Sequence, residues 1–117
     1  MIMREIKFRV YNYNLKKMFC HFPNARIDLG LSYYENNIKV SFPMQFTGLK
    51  DKNGKEIYEG DLIRINDEKI MQISWSDKFA SFIIDRDGWA YSHWFGESCS
   101  PGDCDVVGNI HENPELL

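Results

Sequence analysis

Four side chains that could hold a metal ion lie within nineteen residues of this 117-residue chain: His93, Cys99, Cys104 and His111. Four residues separate the two cysteines, whereas zinc sites usually place about two residues between paired thiolates, and no closely spaced histidine pair completes the set. The spacing therefore predicts no metal site. Instead, Cys104 is expected to be a small buried hydrophobe, Cys99 a loop thiol and His93 an ordinary strand residue.

Other catalytic chemistry also has weak support in the sequence. Cys20 adjoins a base, His21, but neighbouring residues on a strand point to opposite faces of a sheet, so the two should not touch. Two acidic pairs are present, Asp85 with Asp87 and Asp103 with Asp105. Both pairs flank predicted turns, where carboxylates commonly bind backbone amides. We therefore predict no catalytic residue and no cofactor site, and we expect that the protein is not an enzyme.

Aromatic side chains make up 15% of the chain, which is enough for both a core and an exposed surface. Trp89 and Tyr91 share one face of a predicted strand, and Trp94 falls on the opposite face. One set is expected to fill the core, and the other could offer a stacking or peptide-binding surface. All three are candidate interface residues, with core packing as the alternative.

The net charge of −3 hides an asymmetry along the chain. Residues 1–59 contain ten Lys/Arg and six Asp/Glu, a net +4, whereas residues 60–117 contain four and eleven, a net −7. This split suits an acidic partner or complementary faces on two copies of the chain, although scattered solvated charges would give the same count. Lys16 and Lys17 are the candidate basic residues of such an interface.

A contact with nucleic acid is possible on this charge pattern but is not favoured. Residues 60–111 hold four basic and nine acidic groups, the opposite of the balance that phosphate contacts need. Such a contact would have to use the basic residues near the N-terminus: Arg4, Lys7, Arg9, Lys16 and Lys17.

The N-terminal segment predicts a hairpin. Ile6, Phe8 and Val10 alternate with two basic residues, which predicts a strand with this apolar face on a core. A turn at 12–14 and a return strand at 18–22 complete the hairpin. Residues 23–37 are predicted to be loop with at most one short helix, and 38–42 to be another alternating strand.

Turn-forming residues recur at regular intervals in the rest of the chain. Asn53-Gly54 can adopt the positive φ angles of a tight reversal, which predicts a hairpin between 44–49 and 55–58. Five further strands are predicted at 62–65, 69–75, 79–84, 89–95 and 105–110. Short strands joined mostly by tight turns are typical of a small antiparallel barrel. We predict a mainly β fold, with an SH3-like barrel over residues 44–117 and a small hairpin-containing subdomain, all-β or α+β, over residues 1–43.

The last residues show a helix-start pattern, with Asn113 as the N-cap and Pro114 as the first helical residue. A single C-terminal helical turn is predicted, in which Leu116 and Leu117 cover the edge of the barrel.

The sequence also suggests a cellular compartment. No apolar run approaches the roughly 20 residues that span a bilayer, and Arg4 and Glu5 occur without the apolar segment of a signal peptide. We expect no membrane contact and a cytoplasmic location, where all three cysteines are reduced.

Two blocks of sequence carry a resemblance to a known family. Residues 45–61 are QFTGLKDKNGKEIYEGD, and residues 106–117 are VVGNIHENPELL. In this order they resemble the signature of the YopX family of phage and prophage proteins. The resemblance implies a phage-encoded protein with a barrel-like β core, a tendency to oligomerise and no established activity. Phe46 and His111 stand where tyrosine is frequent in the family.

The first block has two interpretations. It could be structural, with Asn53-Gly54 in a turn and Gly60-Asp61 at a strand entry, or it could be a charge-rich tip that contacts a partner. The tip would consist of Lys50, Asp51, Lys52, Lys55 and Glu56. Turn chemistry alone accounts for the residue types, so we favour the structural interpretation.

Together these features predict a non-enzymatic phage or prophage accessory protein in the cytoplasm of a bacterial host. It would act by protein–protein contact, either as a homo-oligomer or with an unidentified host or phage protein. A small nucleic-acid-associated regulator that uses the basic N-terminal half is the alternative.

Overall fold

The computed structural model describes residues 5–22, 40–65, 69–86, 89–92 and 103–117. The strands in this part of the chain are β1 (Phe8–Asn12), β2 (Lys17–Phe22), β3 (Met44–Lys50), β4 (Glu56–Tyr58), β5 (Asp61–Ile65), β6 (Ile70–Ser76), β7 (Ser81–Arg86), β8 (Trp89–Ser92) and β9 (Cys104–Asn109). A 3-10 helix, Pro114–Leu116, follows β9. The predicted mainly β fold is confirmed.

The chain divides into two compact units, Met1–Phe46 and Thr47–Leu117. The boundary lies within β3. By sequence, the first unit holds seven Lys/Arg and three Asp/Glu, and the second holds seven and fourteen. The charges of +4 and −7 therefore belong to the two units themselves.

In the first unit, β1 pairs with β2 on one side and with the start of β3 on the other, both antiparallel. The predicted N-terminal hairpin is confirmed, because Asn12 pairs with Lys17 and Val10 with Phe19. The predicted strand at 38–42 is wrong in its described part: Val40 makes only an isolated bridge with Asn12, and Phe42 is exposed. Residues 23–39, including the predicted loop and short helix, lie outside the described residues.

The alternation over residues 6–9, at the start of β1, has the opposite phase from the prediction. Lys7 and Arg9 are buried, whereas Ile6 is exposed and Phe8 is half-buried. The Lys7 Nζ lies 2.7 Å from Glu5 Oε1 and 4.8 Å from the centre of the Phe46 ring. Lys7 tolerates burial because both groups stabilise its charge while its aliphatic carbons are covered. The period-two alternation of a strand does not by itself show which face is buried when the polar residues are Lys or Arg, whose long aliphatic side chains can also pack in a core.

In the second unit, β3 continues beside β4, and a separate five-stranded sheet has the order β8-β7-β6-β5-β9. This sheet is antiparallel. One of the two sheets of the protein curls into a half-barrel, which is consistent with the predicted β barrel. Most of the buried residues of the five-stranded sheet are apolar. The core cluster consists of Ile57, Ile63, Met71, Ile73, Ile84 and Cys104, with Ile65, Phe82 and Val106 packed against it.

The turn between β3 and β4 differs in type from the prediction. Gly54 has a φ of +81°, but Asn53 is not among the described residues with positive φ. The Gly54 amide donates to the Asp51 carbonyl at 3.0 Å, and the Asp51 amide donates to the Lys55 carbonyl at 2.8 Å. This is a turn followed by one left-handed glycine, one of the common alternatives to the two-residue reversal.

Gly54→Val is expected to lower the free energy of unfolding by about 1 to 3 kcal/mol, because a β-branched residue is strained at positive φ. No atom lies within 4 Å of the position that a Cβ would take, so the cost should come from backbone strain rather than from a clash. Urea denaturation followed by tryptophan fluorescence measures it. Gly54→Asn is the control, since asparagine tolerates this conformation, and an unchanged midpoint for the valine variant would contradict the prediction.

The C-terminal turn begins at Pro114 as predicted, but its chemistry differs. Asn113 makes no side-chain cap; its Oδ1 instead accepts a hydrogen bond from the Asn109 amide at 3.2 Å. The prediction that Leu117 covers an edge is wrong, since its side chain is 41% exposed, whereas Leu116 is half-buried.

Candidate interaction surface

Asp51 is the buried polar centre of the second unit. Its Oδ1 accepts hydrogen bonds from the amides of Asn53 at 2.8 Å and Lys55 at 2.9 Å, and its Oδ2 accepts one from the amide of Val106 at 2.9 Å. The Lys52 amide adds a bond to the Cys104 carbonyl at 3.1 Å. Because β9 is an end strand of its sheet, its free side could otherwise pair with an added strand. Asp51 and Lys52 instead bind the Val106 amide and the Cys104 carbonyl of β9.

This environment keeps the Asp51 carboxylate charged. Burial alone would raise the pKa of Asp51, but the amide hydrogen bonds from Val106, Lys55 and Asn53 favour the carboxylate. The positive charge of Lys55 acts in the same direction, and the net result is a pKa below the ordinary aspartate value. Asp51 is therefore a structural anion, and its hydrogen-bonding capacity is used within the fold.

The entry to β5 is built around Gly60 and Asp61. Gly60 has a φ of +87°, its amide donates to the Ile73 carbonyl at 2.7 Å, and its carbonyl accepts from the Ile110 amide at 2.9 Å. Asp61 is buried, and its Oδ2 accepts the Tyr58 amide at 2.8 Å, as predicted for this residue. The turn thus joins β6 to the residues that follow β9.

The segment after β9 folds back on itself through two asparagines. Asn109 is buried, and its Oδ1 accepts the amides of His111 at 3.0 Å and Glu112 at 2.9 Å. The Asn113 side chain packs so closely on Gly108 that a Cβ there would lie 2.5 Å from Asn113 Oδ1. A side chain at position 108 would therefore displace Asn113.

The structural interpretation of the first block is supported by these contacts, because its residues bind the second block directly. Asp51 is buried and is not part of an exposed tip, whereas Lys50, Lys52 and Lys55 are exposed. Asn53 Nδ2 donates to Asp105 Oδ1 at 3.0 Å, which adds a side-chain contact between the turn and β9.

The predicted basic residues Lys16 and Lys17 lie at the turn between β1 and β2. Both are exposed, and Lys16 has a φ of +53°, unusual for a residue other than glycine. Leu15 beside them is the most exposed large apolar residue of the described part, at 65%. Two of the other basic residues proposed for nucleic acid contact, Lys7 and Arg9, are buried, and Arg4 lies outside the described residues.

The aromatic candidates are placed only in part. Trp89 and Tyr91 lie on β8, an end strand of the five-stranded sheet, and their side chains lie outside the described ones, as does all of Trp94. Trp75 was not among the predicted interface residues, yet it is 44% exposed although it shares a strand face with Met71 and Ile73. It contacts Phe82 edge-on, with ring centres 5.2 Å apart. Strand periodicity could not show that this face extends beyond the core.

The four side chains considered as metal ligands are not brought together in the part of the chain that the structure describes. Cys104 is buried, as expected, whereas His93 and Cys99 lie outside the described residues, as do the side chains of Cys20 and His21. Among the described side chains, no group of three His, Cys, Asp or Glu residues could hold a metal ion. Two of the acidic residues have neutral partners: Asp85 Oδ1 accepts the Ser74 hydroxyl at 2.6 Å, and Asp105 accepts Asn53.

A family model described as YopX protein matches residues 22–117. The chain belongs to the YopX family. Among solved structures, the crystal structure of protein EF1440 from Enterococcus faecalis is similar, with 23% identity and a TM-score of 0.63 over 98% of this chain and 99% of that one. At this identity the likeness shows the fold alone. A comparison with curated proteins found no match.

Family membership fits the contacts described above. Both blocks of the YopX signature lie within the matched residues, and in this chain they bind each other. The turn between β1 and β2, with Lys16 and Lys17, precedes the match. A role for that turn therefore has to be argued from this chain alone.

Over the ranges that the structure covers, no helix has the length and apolar character to cross a bilayer.

Proposed function

We propose that this YopX family member is a non-enzymatic accessory protein that acts by protein–protein contact and associates with copies of itself. The observation that carries the proposal is the turn between β1 and β2, where Leu15 is 65% exposed beside two exposed lysines. An exposed apolar side chain beside charged ones resembles, on a small scale, the apolar centre and polar rim of protein interfaces.

The charges of the two units support association between copies. A unit of +4 in one copy attracts a unit of −7 in another, and exposed complementary faces interact over a Debye length of about 8 Å at physiological salt. The family's phage and prophage context makes the cytoplasm of a bacterial host the proposed location, with a host or phage protein as a further candidate partner.

Burial of two basic residues weakens the nucleic acid alternative. Phosphate contacts need exposed cations, and Lys7 and Arg9 are buried. Lys16 and Lys17 remain exposed, so the experiment below includes a DNA-binding arm.

Lys16→Glu, Lys17→Glu is expected to weaken self-association, because it reverses the charge of the basic surface. Light scattering across ionic strength measures it: the wild type should exceed the monomer mass of 13.8 kDa at low salt, and added salt should lower the mass. The matched control is Lys50→Glu, Lys78→Glu, which makes the same change in net charge at exposed positions of the acidic unit. That variant should associate at least as strongly as the wild type.

A wild type that stays at the monomer mass at low salt would contradict self-association. Retention of a host or phage protein by the immobilised wild type, lost in Lys16→Glu, Lys17→Glu, would then support the hetero-partner form of the proposal. DNA binding that disappears in the same variant would favour the alternative.

A further inference from the structure

The turn between β1 and β2 has a structural counterpart within the same chain. In both it and the turn between β6 and β7, four residues join a closing pair, Asn12 with Lys17 and Ser76 with Ser81. In each, the last turn residue is left-handed although it is not glycine: Lys16 has a φ of +53° and Ala80 of +50° in these two positions. We call residues 13–17 the basic tip.

The two turns also share a side-chain hydrogen bond, but they differ in what they expose. Asn12 Oδ1 accepts the Leu15 amide at 2.9 Å, and Ser76 Oγ accepts the Phe79 amide at 3.1 Å. Phe79 is nevertheless half-buried, whereas Leu15 is 65% exposed. The backbone geometry of the turn therefore does not force this exposure. The basic tip displays an apolar residue and two lysines, and it contains no acidic residue.

A surface of complementary composition lies at the other end of the chain. Glu112 and Glu115 are exposed, and Leu117 is 41% exposed. Residues 111–117 contain no Lys or Arg. We call these residues the acidic tail. Like the basic tip, the acidic tail combines one exposed leucine with two charges of one sign, and the sign is opposite.

We propose that the basic tip of one copy binds the acidic tail of a second copy, with Leu15 and Leu117 in contact and Lys16 and Lys17 facing Glu112 and Glu115. This inference rests on the proposed self-association and names its surfaces. Each copy carries both a tip and a tail. Two copies that exchange both contacts form an isologous dimer, whereas one-way contacts form a closed ring or an open chain.

A charge-reversal complementation experiment tests this contact. The tip variant is Lys16→Glu, Lys17→Glu, and the tail variant is Glu112→Lys, Glu115→Lys. Each alone places like charges at the contact and should weaken association about tenfold or more, measured by light scattering against concentration. In an equimolar mixture, the basic tip of the tail variant meets the acidic tail of the tip variant, so association should return.

One control separates loss of the contact from loss of the fold, and a second variant tests the apolar part of the contact. Glu112 Oε1 accepts a hydrogen bond from Asn109 Nδ2 at 2.8 Å, so Glu112→Gln, Glu115→Gln removes the charges while an acceptor oxygen remains. This variant should be weakened less than the lysine variant and should unfold at the wild-type temperature. Leu15→Ser should also weaken association. Because Leu15 is exposed, this substitution should have little effect on the free energy of unfolding.

The outcomes of the two proposals are distinguishable. A wild type that remains monomeric at low salt overturns self-association and this contact together. A wild type that assembles while the tip and tail variants assemble equally well overturns the contact alone. If both folded variants are weakened but their mixture stays dissociated, the tip-to-tail pairing is wrong.

Discussion

Asp51→Asn is expected to lower the free energy of unfolding by about 2 to 3 kcal/mol at neutral pH. An asparagine Oδ1 can still accept from the amides of Asn53 and Lys55, but its Nδ2 would face the Val106 amide, so two donors meet and a buried amide loses its acceptor. The substitution also removes the charge that strengthens the remaining hydrogen bonds. Urea denaturation at pH 7 measures the loss.

The pH dependence of this loss has a definite sign. The pKa of Asp51 is lowered in the folded protein, so its carboxylate stabilises the fold fully above the ordinary aspartate pKa of about 4. That contribution is lost as the pH falls through the lowered folded pKa. The difference in unfolding free energy between the wild type and Asp51→Asn should thus be constant near neutrality and shrink in acid.

Asp105→Asn is the matched control, because Asp105 accepts a single exposed hydrogen bond from Asn53 Nδ2. It should change the unfolding free energy by less than about 0.5 kcal/mol. Equal stability of Asp51→Asn and the wild type across the acid range would show that the Asp51 contacts do not stabilise the fold.

Ile73→Ala is expected to have the larger effect, a loss of about 3 to 4 kcal/mol. Ile73 is fully buried and pairs with Ile84 across β6 and β7, where it packs within the core cluster of the second unit. Truncation removes apolar area and leaves a cavity that the surrounding sheet can fill only in part. Thermal and urea unfolding both report the change.

Ile73→Val deletes one methylene group and should cost about 1 kcal/mol, so the ratio of the two losses tests for a tightly packed site. Gln72→Ala, at the neighbouring half-buried position on the other face of β6, controls for the strand itself. Similar losses for all three variants would contradict the assignment of Ile73 to the core.

The amino-acid sequence predicted where most of the described strands and turns lie, although not the conformation of residues 40–42 or the type of the turn between β3 and β4. Regular turn residues and period-two alternation place β4 to β7 and β9 within a few residues of their observed bounds, because those signals are local and depend only on backbone preferences and side-chain alternation. The sequence likewise determined the charge of each unit and, through the two blocks, the family.

Only the tertiary structure decided which faces are buried and what the acidic residues do. Lys7 and Arg9 alternate with apolar residues, as expected for a solvent-facing side of a strand, yet both are buried. The charge of Lys7 tolerates burial because it lies beside Glu5 and the Phe46 ring. Asp51 lies in a segment whose charged residues are typical of an exposed turn, yet its carboxylate accepts a hydrogen bond from an amide 55 residues along the chain. Burial and long-range hydrogen bonds depend on which segments meet in space, and no local pattern records that.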